Sequence, residues 1–186
     1  MCKSRLLLAF VCLVSFTSVN AQSYEVGTNV VSAGIGLGSS IAGYTYGSQS
    51  PAFSATYERG LWNVGPGVIS LGAYVGFKNY KYNDPEFAEK WNYTIVGIRG
   101  AYHYTGLNID NLDLYGGLML SYNHVSYKFA NLTDGRGGLT DAPSYGSDLF
   151  LTPFVGARYY FFPGLSAFAE LGYGVSDLNL GLAVKF

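Results

Sequence analysis

The chain has 186 residues, enough for one domain, with a formal net charge of −1, 17% aromatic residues and only 12% charged ones. That balance excludes a nucleic-acid-binding module, which needs a clustered basic face, and the charged share is about half that of an ordinary soluble domain. Although 49% of the residues are hydrophobic, no apolar run after Ala21 is long enough for a membrane helix.

At the N-terminus, Lys3 and Arg5 precede an apolar run from Leu6 to Phe16, and Val19-Asn20-Ala21 has the small-residue pattern of a cleavage site. The run falls short of the ~20 residues of a membrane span, so residues 1–21 read as a secretory signal peptide and 22–186 as the exported domain. Val11, ahead of Cys12, is bulkier than the small residue that lipoprotein processing favours. Both cysteines, Cys2 and Cys12, lie in this segment, so the exported chain relies on neither a disulfide nor a thiolate site. Removing Lys3 and Arg5 from the 11 basic residues leaves 9 against 12 acidic ones, a net charge of −3.

The rest alternates with a period of two, the pattern of strands with one face apolar. The first strand runs from about Tyr24 to Gly38, with Val31, Ala33, Ile35 and Leu37 opposite Ser32, Gly34 and Gly36. After a Gly/Ser/Tyr loop, Ser39 to Ser50, the second runs from Pro51 to Gly60, with Phe53, Ala55 and Tyr57 opposite Ser54, Thr56 and Glu58. Leu61 to Gly67 reads as a turn punctuated by Gly and Pro. The third strand, Val68 to Tyr80, sets Ile69, Leu71, Ala73, Val75 and Phe77 against Ser70, Gly72, Tyr74, Gly76 and Lys78. The charged stretch Lys81 to Lys90 reads as a loop with room for one helical turn, and Trp91 to Thr105 is the fourth strand. The fifth, Leu112 to about Phe129, exceeds the ~9–11 residues of a spanning strand and should project beyond a bilayer. Ala130 to Ser147 is the longest loop, Asp148 to Phe161 the sixth strand and Leu165 to Gly174 the seventh. In the eighth, Leu178, Leu180, Leu182, Val184 and Phe186 alternate with Asn179, Gly181, Ala183 and Lys185.

Eight strands with longer and shorter connections falling in alternation predict an all-β, eight-stranded antiparallel up-and-down transmembrane barrel with its short turns on one rim. Aromatics test this independently. Phe77, Trp91, Tyr122 and Tyr173 fall near the outer rim, and Trp62, Tyr102, Tyr104, Tyr159, Phe161 and Phe186 near the inner one, with aliphatic residues between them. Two aromatic girdles about an aliphatic band match the two interfaces of a bilayer. A soluble barrel or sandwich burying the apolar face is the rival, but the other face is rich in Gly and Ser and suits a small interior rather than an exterior.

The exported chain thus resembles the small bacterial outer-membrane β-barrels, those of the outer-membrane protein A and outer-membrane protein X type. The most specific piece is Leu182-Ala183-Val184-Lys185-Phe186, an alternating C-terminal strand ending on an aromatic. The resemblance implies an outer-membrane location, surrounding lipid and lipopolysaccharide as partners, and recognition of Leu182, Val184 and Phe186 by the barrel-assembly machinery during insertion. It says little about activity, because fold does not imply function.

Four mid-strand charges, Glu58, Arg99, Arg158 and Glu170, fall on the presumed lumen face. Charges in a low-dielectric interior must pair, so they form a salt-bridge plug or a gate in a narrow pore, and the plug is the simpler reading. His103 and His124 have no partner at metal-ligand spacing, and neither a metal nor another cofactor is expected. A lipid-modifying rim enzyme would have to draw on His124, Ser126 and Asp134 or Asp141, whose spacing is unspecific. Asp134-Gly135-Arg136-Gly137-Gly138 lacks the Lys and Ser/Thr of a phosphate loop. The sequence therefore points to a monomeric, non-enzymatic envelope protein with a structural or surface-interaction role, its loops 39–50 and 130–147 making the contacts. The alternative is a narrow, porin-like channel for ions or small apolar solutes.

Overall fold

A strand whose side chains alternate between apolar and small or polar residues offers each face a different solvent, and eight such strands can close a ring. The computed structural model, which describes residues 24–38, 48–107, 109, 111–131, 140–141, 148–172 and 174–186, is that ring. Its long strands are β1 (Asn29–Leu37), β2 (Ala52–Val64), β3 (Gly67–Asn83), β4 (Phe87–Tyr104), β5 (Leu112–Asn131), β6 (Asp148–Phe162), β7 (Leu165–Gly172) and β8 (Leu178–Lys185). Each pairs antiparallel with the next, and β8 pairs with β1 from Val30↔Lys185 to Leu37↔Leu178. Beyond that ladder the Phe186 amide donates to the Asn29 carbonyl at 3.0 Å and the reverse bond has the same length. Closure leaves the bare apolar C-terminal strand without a free edge. The expected signal peptide lies outside the described residues.

Exposure shows which way the faces point. Ile98 is 66% exposed while the next residue, Arg99, is 3% exposed. Val31, Ile35, Leu71, Leu118, Leu151 and Leu182 share the exterior with Ile98, and Ser32, Ser54, Ser70, Ser121 and Ser166 are buried inside. This is the reverse of a soluble barrel, and it suits a barrel whose outer solvent is hydrocarbon. The interior is narrow enough for side chains to fill. Tyr74, Ile95, Tyr115, Met119 and Phe154 form its outer core, and Tyr24, Val30, Val68, Phe168 and Ala183 a second cluster towards the end bearing Phe186.

Three expectations about the elements need correction. Leu61 to Gly67 is not all turn: β2 continues to Val64 through a register shift between Gly60 and Trp62, and the turn is confined to Gly65 and Pro66. A bulge of this kind increases the local twist and is common at barrel rims. A second bulge, between Tyr160 and Phe162, faces the next short turn. Nor is Lys81 to Lys90 a loop with a helical turn. β3 and β4 stay paired as far as Asn83↔Ala88, and Asp84 to Glu86 alone makes the reversal, closed by an Asp84 amide donating to the Phe87 carbonyl at 2.8 Å. Charges in this stretch suggested a loop, but a hairpin that projects into water holds charged residues on a strand without penalty, and cross-strand aromatics support it.

The third correction concerns Trp91. Its position in β4 puts it on the face of Tyr93, Ile95 and Arg99, so it continues the lumen side above the barrel. It stacks on Tyr127 at 5.3 Å instead of joining Phe77 and Tyr122 on the outward face. Trp62, Phe77, Tyr122 and Tyr159 are exposed on the exterior and Tyr102 is half-buried there. Tyr173 lies outside the described residues.

Candidate functional site

The lumen gathers the four sequence-predicted charges from four different strands. Arg99 of β4 grips Glu170 of β7 through both terminal nitrogens, Nη1 to Oε1 at 3.1 Å and Nη2 to Oε2 at 2.6 Å. Its Nε lies 2.9 Å from Glu58 Oε1 on β2. Arg158 of β6 donates through Nη2 to the other oxygen of Glu58 and through Nη1 to Asp113 Oδ2 at 3.2 Å. Glu58 is thus shared between two guanidiniums. The planar forks suit such bridging, which a lysine ammonium does not reproduce.

Aromatic rings complete the packing. The Arg99 guanidinium lies 3.8 Å from the centre of the Phe154 ring and that of Arg158 lies 4.3 Å from Tyr115. Tyr115 also donates its hydroxyl to Glu170 at 3.1 Å. Each charge is therefore held by more than one partner, as burial in a low dielectric demands.

Sequence reasoning did not single out the second layer of this network. His103 sits between Asp113 and Ser70: its Nδ1 is 2.8 Å from Asp113 Oδ1 and its Nε2 is 3.0 Å from Ser70 Oγ. An imidazole protonated at Nδ1 donates to Asp113 and accepts from Ser70. Tyr24 stacks flat on the imidazole, with centroids 3.6 Å apart and planes within 2°. All of these residues except Tyr24 lie in strands on the inward parity, so the alternation already carried Asp113 and His103 to the lumen. Their mutual contact depends on the stagger between strands, which the alternation does not give.

Tyr24 closes the end of the barrel that bears Phe186. The turn that follows it is tied to β2 by the Gly27 amide donating to the Gly60 carbonyl and by the Gly60 amide donating to the Thr28 carbonyl, both at 2.9 Å. A side chain on Gly60 would collide with the Glu25 carbonyl, so the glycine is what lets the segment tuck under the barrel. Lys185, buried on the same inner face, holds its ammonium 4.7 Å from the centre of the Tyr160 ring.

The order of contacts from Asp113 through His103 to Ser70 is that of a catalytic relay. Access is what it lacks: Ser70 is 1% exposed, the imidazole lies under Tyr24, and the Asp113 carboxylate is shared with Arg158. On the other side of the charges, a cavity of about 20 Å³ is lined by Tyr74, Arg99, Met119, Phe154, Glu170 and Asn179. That is room for one water molecule. No group of three or more His, Cys, Asp or Glu able to hold a metal occurs among the described residues.

At the opposite end, β3, β4 and β5 run to 17, 18 and 20 residues, well past the ~9–11 that span a bilayer. Their projecting part carries an aromatic ladder. Tyr80 meets Tyr93 edge-on at 5.5 Å, Phe87 stacks on Phe129 at 6.2 Å, and Tyr127 donates to Glu89 at 2.8 Å. His124 and Ser126 lie on the outward face of β5, and Asp141 pairs with Lys128 further along, while Asp134 is outside the described residues. Most of loops 39–50 and 130–147 is outside them as well.

A closed eight-stranded meander with an apolar exterior and a charged, filled interior is the architecture of the small outer-membrane barrels. Comparison with solved structures agrees on the fold. The attachment invasion locus protein Ail of Yersinia pestis, in complex with the heparin analogue sucrose octasulfate, matches with a TM-score of 0.51 and 18% identity over 87% of this chain and 99% of that one. The same protein in its other structure gives 0.49 and 16%, again over 87% and 99%. Neisserial surface protein A gives 0.44 and 18% over 86% of this chain and 96% of that one. No protein-family model matches the chain, and a search of curated proteins finds no match.

Proposed function

We propose that the protein is an integral outer-membrane barrel with a closed lumen and a non-enzymatic role, its working surface being the projecting rim of β3, β4 and β5 together with loops 39–50 and 130–147. The chain reaches that membrane by signal-peptide export and insertion through Leu182, Val184 and Phe186, and acts there as a monomer among lipid and lipopolysaccharide. The observation that carries the reading is the filling of the lumen: ion pairs occupy its middle and Tyr24 its end. Strands that continue far beyond the span supply a surface where contacts can be made. Ail shares the fold and is named for attachment and invasion, which is in keeping with a surface role.

Planar-bilayer recording separates this from a channel. The wild-type protein is expected to insert without resolved conductance. Tyr24→Ala should lower the free energy of unfolding by about 2–4 kcal/mol through loss of a buried ring, and still not conduct, because the ion pairs remain. Steady single-channel steps from the wild type would favour the channel reading. Replacing residues 83–88 with a short Gly/Ser turn should abolish surface binding by expressing cells while leaving the barrel folded. Unchanged binding after this change and after deletion of both loops would refute the surface role.

A further inference from the structure

The register of the projecting strands aligns residues on the outward face into rungs whose chemistry changes with height. Val75↔Val96↔Tyr122 is the last largely apolar rung, and Phe77↔Thr94↔His124 follows. Next comes Asn79↔Asn92↔Ser126, rich in hydrogen-bonding groups, and then Lys81↔Lys90↔Lys128. Three lysines therefore stand directly opposite one another on neighbouring strands. Like charges placed so are destabilising unless an anion meets them.

Among the described residues no acid pairs with Lys81 or Lys90. Lys128 is opposite Asp141 in backbone register. On the far side Lys81 pairs with Ser48. Glu89 belongs to the other face, where it accepts from Tyr127. Asp84 and Glu86 belong to the hairpin reversal, where the Glu86 amide donates to Asp84 Oδ1 at 3.1 Å. On the inner face Lys78 donates to the Gly38 carbonyl at 2.9 Å.

Height identifies the anion. Lys81 is four residues beyond Phe77, about 13 Å along the strand, or roughly 9 Å above the interfacial ring for a strand tilted by about 45°. Apolar, interfacial, hydrogen-bonding and cationic rungs thus follow the order of hydrocarbon, interface, sugar and phosphate in a leaflet of phosphorylated glycolipid. The row spans about 10 Å across three strands, enough to meet more than one phosphate. We propose that Lys81 and Lys90, with Lys128 beside them, form a binding site for the phosphate groups of lipopolysaccharide in the surrounding outer leaflet. The inference rests on the outer-membrane reading and adds to it a specific lipid contact.

The test uses the full exported domain in phosphatidylcholine vesicles, with heat-resistant gel mobility reporting the fold. Lipopolysaccharide is titrated in, and the rise in the unfolding temperature is recorded. Lys81→Gln/Lys90→Gln should fold as well as the wild type without lipopolysaccharide and need roughly 10- to 30-fold more of it for half the rise, each cation near an anionic surface contributing about a tenfold or smaller factor. Enzymatically dephosphorylated lipopolysaccharide should act equally weakly on both proteins. Equal titrations for wild type and variant would overturn the proposal, as would an equal rise produced by inorganic phosphate alone. Failure of the wild type to insert into phosphatidylcholine would instead count against the membrane reading itself.

Discussion

Replacing Arg158 with methionine should destabilise the barrel by about 3–5 kcal/mol, the cost of stranding a buried carboxylate without its partner. Two acids lose a cationic partner at once, because Glu58 and Asp113 both accept from Arg158. Glu58 keeps Arg99, and Asp113 keeps His103 at 2.8 Å. Urea unfolding in lipid vesicles, followed by tryptophan fluorescence, measures the loss. The triple change Glu58→Gln, Asp113→Asn and Arg158→Met should recover most of it, since a neutral interior no longer strands a charge. Glu170→Gln should cost less than Arg158→Met, because Glu170 borders the water-sized cavity and is less deeply buried. A triple variant no more stable than the single one would show that packing, not charge, sets the effect.

The second large effect is on the exterior. Ile98→Arg should cost about 2–4 kcal/mol in a bilayer, the range for a cation at the midplane of a lipid-facing strand. In a soluble barrel the same change at a residue 66% exposed would lie on a hydrated surface and be close to neutral. The same unfolding assay serves in vesicles without lipopolysaccharide, with Lys81→Gln as the control, because that exposed position lies above the hydrocarbon.

Strand number, face assignment and closure were legible because they rest on a period of two. Alternation from Leu178 to Phe186 fixes which side chains point outward whatever strand lies beside them. The pairing of Glu58 and Glu170 with Arg99 and Arg158 followed from the need to neutralise buried charge, although the order of bridging did not. Asp113, His103 and Ser70 were visible as inward residues and invisible as a set, since the stagger that joins them comes from bulges and barrel shear. Leu61 illustrates the same limit: one extra residue beside Gly60 resets the register, and Gly and Pro further on read as an earlier turn. Charges from Lys81 to Lys90 suggested a loop because sequence polarity does not distinguish a loop from a strand standing in water. Trp91 was counted with the interfacial girdle by its height near the rim alone. Counting back from Arg99 along the same strand puts it on the lumen side, which height does not show.

An outward face that meets hydrocarbon is what makes this barrel a membrane protein. Ile98→Trp in a chain whose Trp62 and Trp91 are replaced by phenylalanine places a single fluorophore there. Vesicles made with lipids brominated at different depths along the acyl chain then report its surroundings. Quenching strongest with bromines near the bilayer centre, with little effect of aqueous acrylamide, is the predicted result. Strong acrylamide quenching without any effect of brominated lipid would contradict the account, because it places that face in water rather than hydrocarbon.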